Sequence, residues 1–421
     1  MVAIGVLKTG YFLTDSAFLG LLGDDALTAA GAAAFAWWML LLLGEIAGTG
    51  AHSISARNVG AGRSSENRGV MTQALWVALC IGIGAQALHP GTSVYFDLIG
   101  YAPDSPEYAL GQAYLSASII GAATFAFHSA LGGLFRGLGD TRTILWITVV
   151  TVIANAALDP VLIWGIGPFP ALGIAGAAWA TTIANALGAV LAAWFLRGHG
   201  LWPEPIWPRL APVRELLWIG VPVSARGIAF AAIYVVLGRM ITSFGSHHMA
   251  AIGVGHRIEG IPYLTSVGFE IGAATLVGQY LGAGDVAGAR RACRTALAMC
   301  VAAMIPCSIG LYLAAEPLLG LFANEPETIA AGTLYLRIQT TVFVLMALES
   351  IYEGAFTGVG NTVPAFWVGA LGTALRIPLA WLFAWPLGFG VAGIWWAIAL
   401  STALKGLAMA WIFERSGLPT T

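Results

Sequence analysis

Long apolar runs recur from one end of this 421-residue chain to the other, and they leave little choice of fold. Each is near the twenty or so residues that a helix needs to cross a hydrocarbon core about 30 Å thick. Backbone N–H and C=O groups find no water there, so a spanning segment must pair them internally, as a helix does. Twelve runs qualify: 3–22, 28–50, 70–90, 110–134, 144–165, 173–196, 216–243, 250–277, 294–314, 331–356, 363–385 and 389–413. Charged residues make up 10% of the chain, against about 25% in soluble domains. The chain reads as an all-α integral membrane protein with twelve transmembrane helices, and no polar stretch is long enough to fold alone.

The runs form two sets. Arg57-Asn-Val-Gly-Ala-Gly62 recurs as Gln279-Tyr-Leu-Gly-Ala-Gly284, an offset of 222. Arg136-Gly-Leu-Gly-Asp-Thr141 recurs as Thr357-Gly-Val-Gly-Asn-Thr362 at 221, and Ala175-Gly176 as Ala392-Gly393 at 217. Six helices per repeat is an even number, so both repeats insert the same way up, as parallel repeats. The Pro-, Gly- and Trp-rich stretch from Gly198 to Arg209 reads as a cytoplasmic linker. It separates an N-terminal lobe (1–197) from a C-terminal lobe (210–421).

Arginine distribution gives the orientation. Arg57, Arg63 and Arg68 lie in the second connection, Arg136 and Arg142 in the fourth, and Arg290, Arg291 and Arg294 in the eighth. The third connection (91–109) has no Lys or Arg. The positive-inside rule puts both termini in the cytoplasm. A bacterial or archaeal plasma membrane is expected, with no cleavable signal peptide. Cys80, Cys293, Cys300 and Cys307 show no metal or disulfide spacing. Of the two lysines, Lys8 and Lys405, neither sits in a phosphate-binding loop. With no nucleotide site, nucleophile elbow or cofactor motif, the default is an ion-driven secondary transporter rather than an enzyme, and no cofactor is expected.

Ionisable groups inside lipid are costly and point to function. Asp15 and Asp159 each lie about fifteen residues from the cytoplasmic start of their helices, roughly 22 Å in. Equal depth lets both line one pocket. Asn155 is one turn from Asp159 on the same face. Carried across the repeat, Asp15 falls on Leu237, Asn155 on Arg376 and Asp159 on Ala380, so the acidic pair exists in one lobe only. Such a pair can exchange a proton or hold Na⁺ at Asp15, Asn155 and Asp159; no other metal is expected. In the C-terminal lobe, Glu349 and Glu353 share one helix face. They are a candidate second proton or cation site, with salt bridges to Arg226, Arg337 or Arg376 as the alternative. Glu259 and Arg257 are counted with that candidate second site, though, two apart, they face different ways and read as interhelical structural pairs.

Several segments together resemble the multidrug and toxic compound extrusion (MATE) family. They are Thr14-Asp-Ser-Ala-Phe-Leu-Gly-Leu-Leu-Gly23, Asn155-Ala-Ala-Leu-Asp-Pro160, Gly173-Ile-Ala-Gly-Ala-Ala-Trp-Ala-Thr181, Gly253-Val-Gly-His-Arg-Ile-Glu259 and Leu276-Val-Gly-Gln-Tyr-Leu-Gly-Ala-Gly284. The match spans nearly the whole chain, in order and in both lobes. The resemblance implies the MOP-superfamily fold, two six-helix lobes around a central cleft. It implies alternating access and export of organic cations, drugs or other amphipathic compounds against H⁺ or Na⁺. It places the ion site on Asp15, Asn155, Asp159 and Thr181. Helix 7 carries Arg226 and no carboxylate, which favours the DinF-like subgroup. Only fourteen residues precede Asp15, so the family's cytoplasmic N-terminal helix is expected to be missing. Expected partners are small molecules and membrane lipid, not nucleic acid, and the chain is expected to be a monomer. A lipid-linked or polysaccharide precursor flippase of the same superfamily is the alternative, kept open by Arg226, Arg257, Arg337 and Arg376.

Overall fold

The computed structural model describes residues 14–15 and 17–418. Among these, ten helices are long and apolar enough to cross a bilayer, and one bent pair makes an eleventh span. They match the second to twelfth expected runs. Most of the first run (3–22) lies outside the described residues, though 17–21 are helical.

The described residues up to Ser224 form one compact unit and those from Ala225 onward a second. The first unit holds α1 (Asp24–Gly60), α2 (Asn67–Gln86), α3 (Pro106–Leu138), α4 (Thr141–Trp164) and α5 (Ile174–Gly198). The division falls within α6 (Leu210–Thr242). Then come α7 (Ser246–Gly282), α8 (Val286–Leu313), α9 (Pro326–Thr340), α10 (Phe343–Val359), α11 (Val363–Ala374), α12 (Arg376–Ala384) and α13 (Gly390–Ile412). Residues from the expected linker dock on α2: the Thr72 hydroxyl accepts from the Glu204 amide at 2.8 Å, and Trp76 stacks on Trp207.

The repeat holds contact by contact. In lipid, helices approach through small residues rather than through a hydrophobic driving force. A methyl added at Gly133 on α3 would collide with the backbone of Gly48 on α1. Their counterparts make the same crossing, Gly354 on α10 meeting Glu270 on α7. Gly176 on α5 touches Leu162 on α4, and Gly393 on α13 touches Phe383 on α12. In each case the partners are displaced by the offset of their own segment.

The units differ where helices break. α3 and α4 are continuous, while their counterparts are each split in two. α9 and α10 meet at 57°. There the hydroxyls of Thr340 and Thr341 bond back to Arg337 and Ile338, which loosens the turn. Between α11 and α12, Pro378 has no N–H to offer the carbonyl of Ala374, and the helix is interrupted there.

Candidate functional site

The first unit brings together all four residues expected at its ion site. Asn155 and Asp159 lie on the inner face of α4, and neither is exposed at all. Their side chains are one turn apart, with Asn155 Nδ2 3.5 Å from Asp159 Oδ1. Asp15 comes from the helical segment before α1, and Thr181 from α5; both are buried. The Asp15 carboxyl is within hydrogen-bonding reach of Asp159, Thr181 and Asn155. Tyr114 of α3 is buried near both carboxyls. Among the described residues, three oxygens here have no hydrogen-bond partner: Asp15 Oδ1, Asn155 Oδ1 and Asp159 Oδ2. Buried acceptors are normally paired. Two adjacent carboxylates also repel, so this cluster suits a shared proton or a small cation between its oxygens.

The second unit also buries charge, but there it is matched. Glu353 on α10 is ion-paired with Arg226 of α6. Glu349, one turn earlier, lies 3.7 Å from Arg226 and accepts from Lys405 Nζ of α13 at 2.7 Å. Gly369 and Gly372 on α11 make the room, since a methyl on either would strike the stem of Arg226 or Lys405. Glu259 does not join this pair. It accepts from the Tyr335 hydroxyl of α9 at 2.8 Å, with His256 Nε2 3.9 Å away. Arg257 is exposed on another face of α7. Two residues on a helix are about 200° apart, which separates it from Glu259.

Sequence reasoning passed over Lys405 as a buried partner of Glu349. The signal was present: a lone lysine midway along an apolar helix must find an acid inside the protein. It also gave no role to Tyr234, Ser401 and Thr402. They accept from Arg376 at 2.8, 2.8 and 3.0 Å.

Comparison with known proteins follows the same division. The family model described as MatE matches residues 2–161 and again 222–382, two matches that begin 220 residues apart. This chain belongs to the MatE family. Among its MatE relatives, the probable multidrug resistance protein NorM of Thermotoga maritima is 25% identical over 398 residues. That alignment covers 93% of this chain and 85% of the relative. The Bradyrhizobium diazoefficiens protein of the same name is 29% identical, over 92% of this chain and 85% of its own. In structure, the chain resembles an outward-facing multidrug resistance MATE family transporter of the MOP superfamily. The TM-score is 0.92 at 21% identity, over 100% of this chain and 95% of the other. A MOP superfamily transporter from Pyrococcus furiosus gives 0.91 at 20%, over 99% and 93%. The MatE chain thus shares the fold of these MOP superfamily transporters, multi-pass and, among the described residues, helical without strands.

Proposed function

We propose that this chain is a secondary active multidrug efflux transporter, exchanging organic cations or amphipathic compounds for H⁺ or Na⁺ by alternating access. The observation that carries this reading is the set of three partnerless buried oxygens on Asp15, Asn155 and Asp159. Na⁺ can take all three as ligands at once, whereas a proton shared by the two carboxyls satisfies one oxygen of each. Either also ties three separate elements together: the segment carrying Asp15, α4 through Asn155 and Asp159, and α5 through Thr181. Loss of the ion lets two carboxylates repel and frees the Asp15 segment from α4 and α5. A cationic substrate is favoured when the carboxylates are ionised, and the ion competes with it. That difference in free energy is the coupling.

An N-terminal site of this kind, with Arg226 committed to glutamates in the second unit, fits the DinF-like mechanism. It also weakens the flippase alternative, which needs unspent buried cations to hold a pyrophosphate. The protein is expected in the plasma membrane as a monomer, with both termini cytoplasmic.

The test is ethidium efflux from proteoliposomes under imposed H⁺ and Na⁺ gradients, applied separately to wild type and Asp159→Asn. Gradient-driven efflux by wild type, lost in the variant, is the expected result and names the ion. Efflux that survives the substitution would remove Asp159 from the coupling step. No efflux with either ion, from correctly folded protein, would return the flippase reading.

A further inference from the structure

The second unit contains the counterpart of the ion site, and it is already filled. The repeat offsets carry Asp15, Tyr114, Asp159 and Thr181 onto Leu237, Tyr335, Ala380 and Ile398. These four pack in a single buried cluster, as their counterparts do in the first unit. The tyrosine is kept, while both carboxylates and the threonine are apolar. The remaining member, Asn155, falls on Arg376.

Arg376 is buried, and its guanidinium links the second unit's counterparts of the three elements that the ion would tie together in the first. It starts on α12, the counterpart of the end of α4. One arm donates to Tyr234 on α6, one turn from Leu237. Its Nε and the other arm donate to Ser401 and Thr402 on α13, about one turn from Ile398. All three partners are neutral hydroxyls, and the rings of Phe230 and Tyr234 face the charge at 5.7 and 5.4 Å. An arginine is charged at every working pH and cannot leave. The first unit thus presents acceptors without donors, and the second presents donors already satisfied.

We propose that Arg376 is a built-in cation, standing in the C-terminal repeat where the coupling ion binds in the N-terminal one. Only the first unit then exchanges an ion, and the second stays permanently tied. This inference rests on the N-terminal ion site proposed above and adds where ion exchange stops.

The experiment counts ions released when ethidium is added to the purified full-length protein. Radiolabelled Na⁺ and a pH-indicator dye in weak buffer are the two probes. Release by wild type is expected to vanish in Asp159→Asn. Arg376→Lys is expected to keep the wild-type count, because the charge remains. Arg376→Asn combined with Leu237→Asp and Ala380→Asp copies both carboxylates and the asparagine into the second unit and is expected to release about twice as many ions per chain. If Asp159→Asn retains about half of the release, the second unit exchanges an ion and the proposal is overturned, while the N-terminal site survives. If it retains all of it, the N-terminal reading fails as well. A rebuilt variant with wild-type melting and no added release also overturns the proposal. Should that variant misfold, the Asp159→Asn count decides alone.

Discussion

Lys405 shows what a single buried charge is worth here. Its Nζ lies 2.7 Å from Glu349, and both side chains are almost fully buried. Removing one member of such a pair strands the other, at a cost of about 3–5 kcal/mol, whereas replacing both by neutral groups is often close to neutral. Lys405→Met leaves Glu349 only the longer 3.7 Å contact with Arg226, which Glu353 shares, so it is expected to lower the unfolding temperature in detergent, and adding Glu349→Gln to restore most of it. A double variant as unstable as the single one would contradict this pairing. In the proposed ion site, Thr181 offers one hydroxyl beside Asp15. A hydrogen bond to a charged group is worth about 1.5–3 kcal/mol. Thr181→Ala should thus raise the ion concentration for half-maximal efflux by roughly tenfold or more, with the maximal rate little changed. Asp15, Asn155 and Asp159 were legible as a cluster because the two carboxylates lie at equal depth, Asn155 is one turn from Asp159, and the repeat lacks their mates. Thr181 was not: a hydroxyl can bond to its own helix, so nothing in an isolated sequence marks it, and only the family resemblance supplied it. Lys405 was passed over as merely one of two lysines, although its depth in an apolar run asked for an acid.

At the scale of elements, eleven of twelve expected spans are present among the described residues because length and apolarity decide them. What the apolar pattern did not reveal is the breaks. Pro378 could be read as a kink, but the 57° bend between α9 and α10 rests on two threonine hydroxyls competing with the helix's own ladder. Helix starts are more explicit. Asp140 caps α4, accepting from the Thr143 amide at 3.0 Å, with His199 Nε2 at 3.3 Å from the other oxygen. Partial burial pushes its carboxyl up, but the bonds from Thr143 together with His199 outweigh this and hold it below its usual value of 3.8. A depressed folded pKa stabilises above the unfolded value and is lost as pH falls through the folded one. Asp140→Ala should cost about 1 kcal/mol at neutral pH, the usual worth of an N-cap. Its deficit relative to wild type should hold down to about pH 4 and close below that. Melting of both proteins across that range checks it. A gap that stays constant into strong acid would mean that the carboxylate charge contributes nothing to the cap.

For the whole molecule, the repeat is the organising fact, and its value lies in where it fails. Gly133 and Gly354, or Gly176 and Gly393, make equivalent contacts in both units, so the scaffold is shared. The chemistry is not shared. Among the described residues, three buried oxygens of the first unit have no partner, while at the corresponding place in the second the Arg376 guanidinium donates to three hydroxyls. An ion that binds the native state stabilises what it touches, and local opening then requires its release. Hydrogen exchange measured with and without the coupling ion should therefore respond unequally in the two units. Amides in the last two turns of α4 and in the first turns of α5 should gain protection when the ion is added. Their counterparts in α12 and the first turns of α13 should exchange at the same rate in either condition, since Arg376 holds them throughout. Asp159→Asn should abolish the difference in the first unit and leave the second unchanged. Equal gains in both units would mean that the second unit also binds the ion, and that the asymmetry seen in its side chains does not govern how the molecule couples.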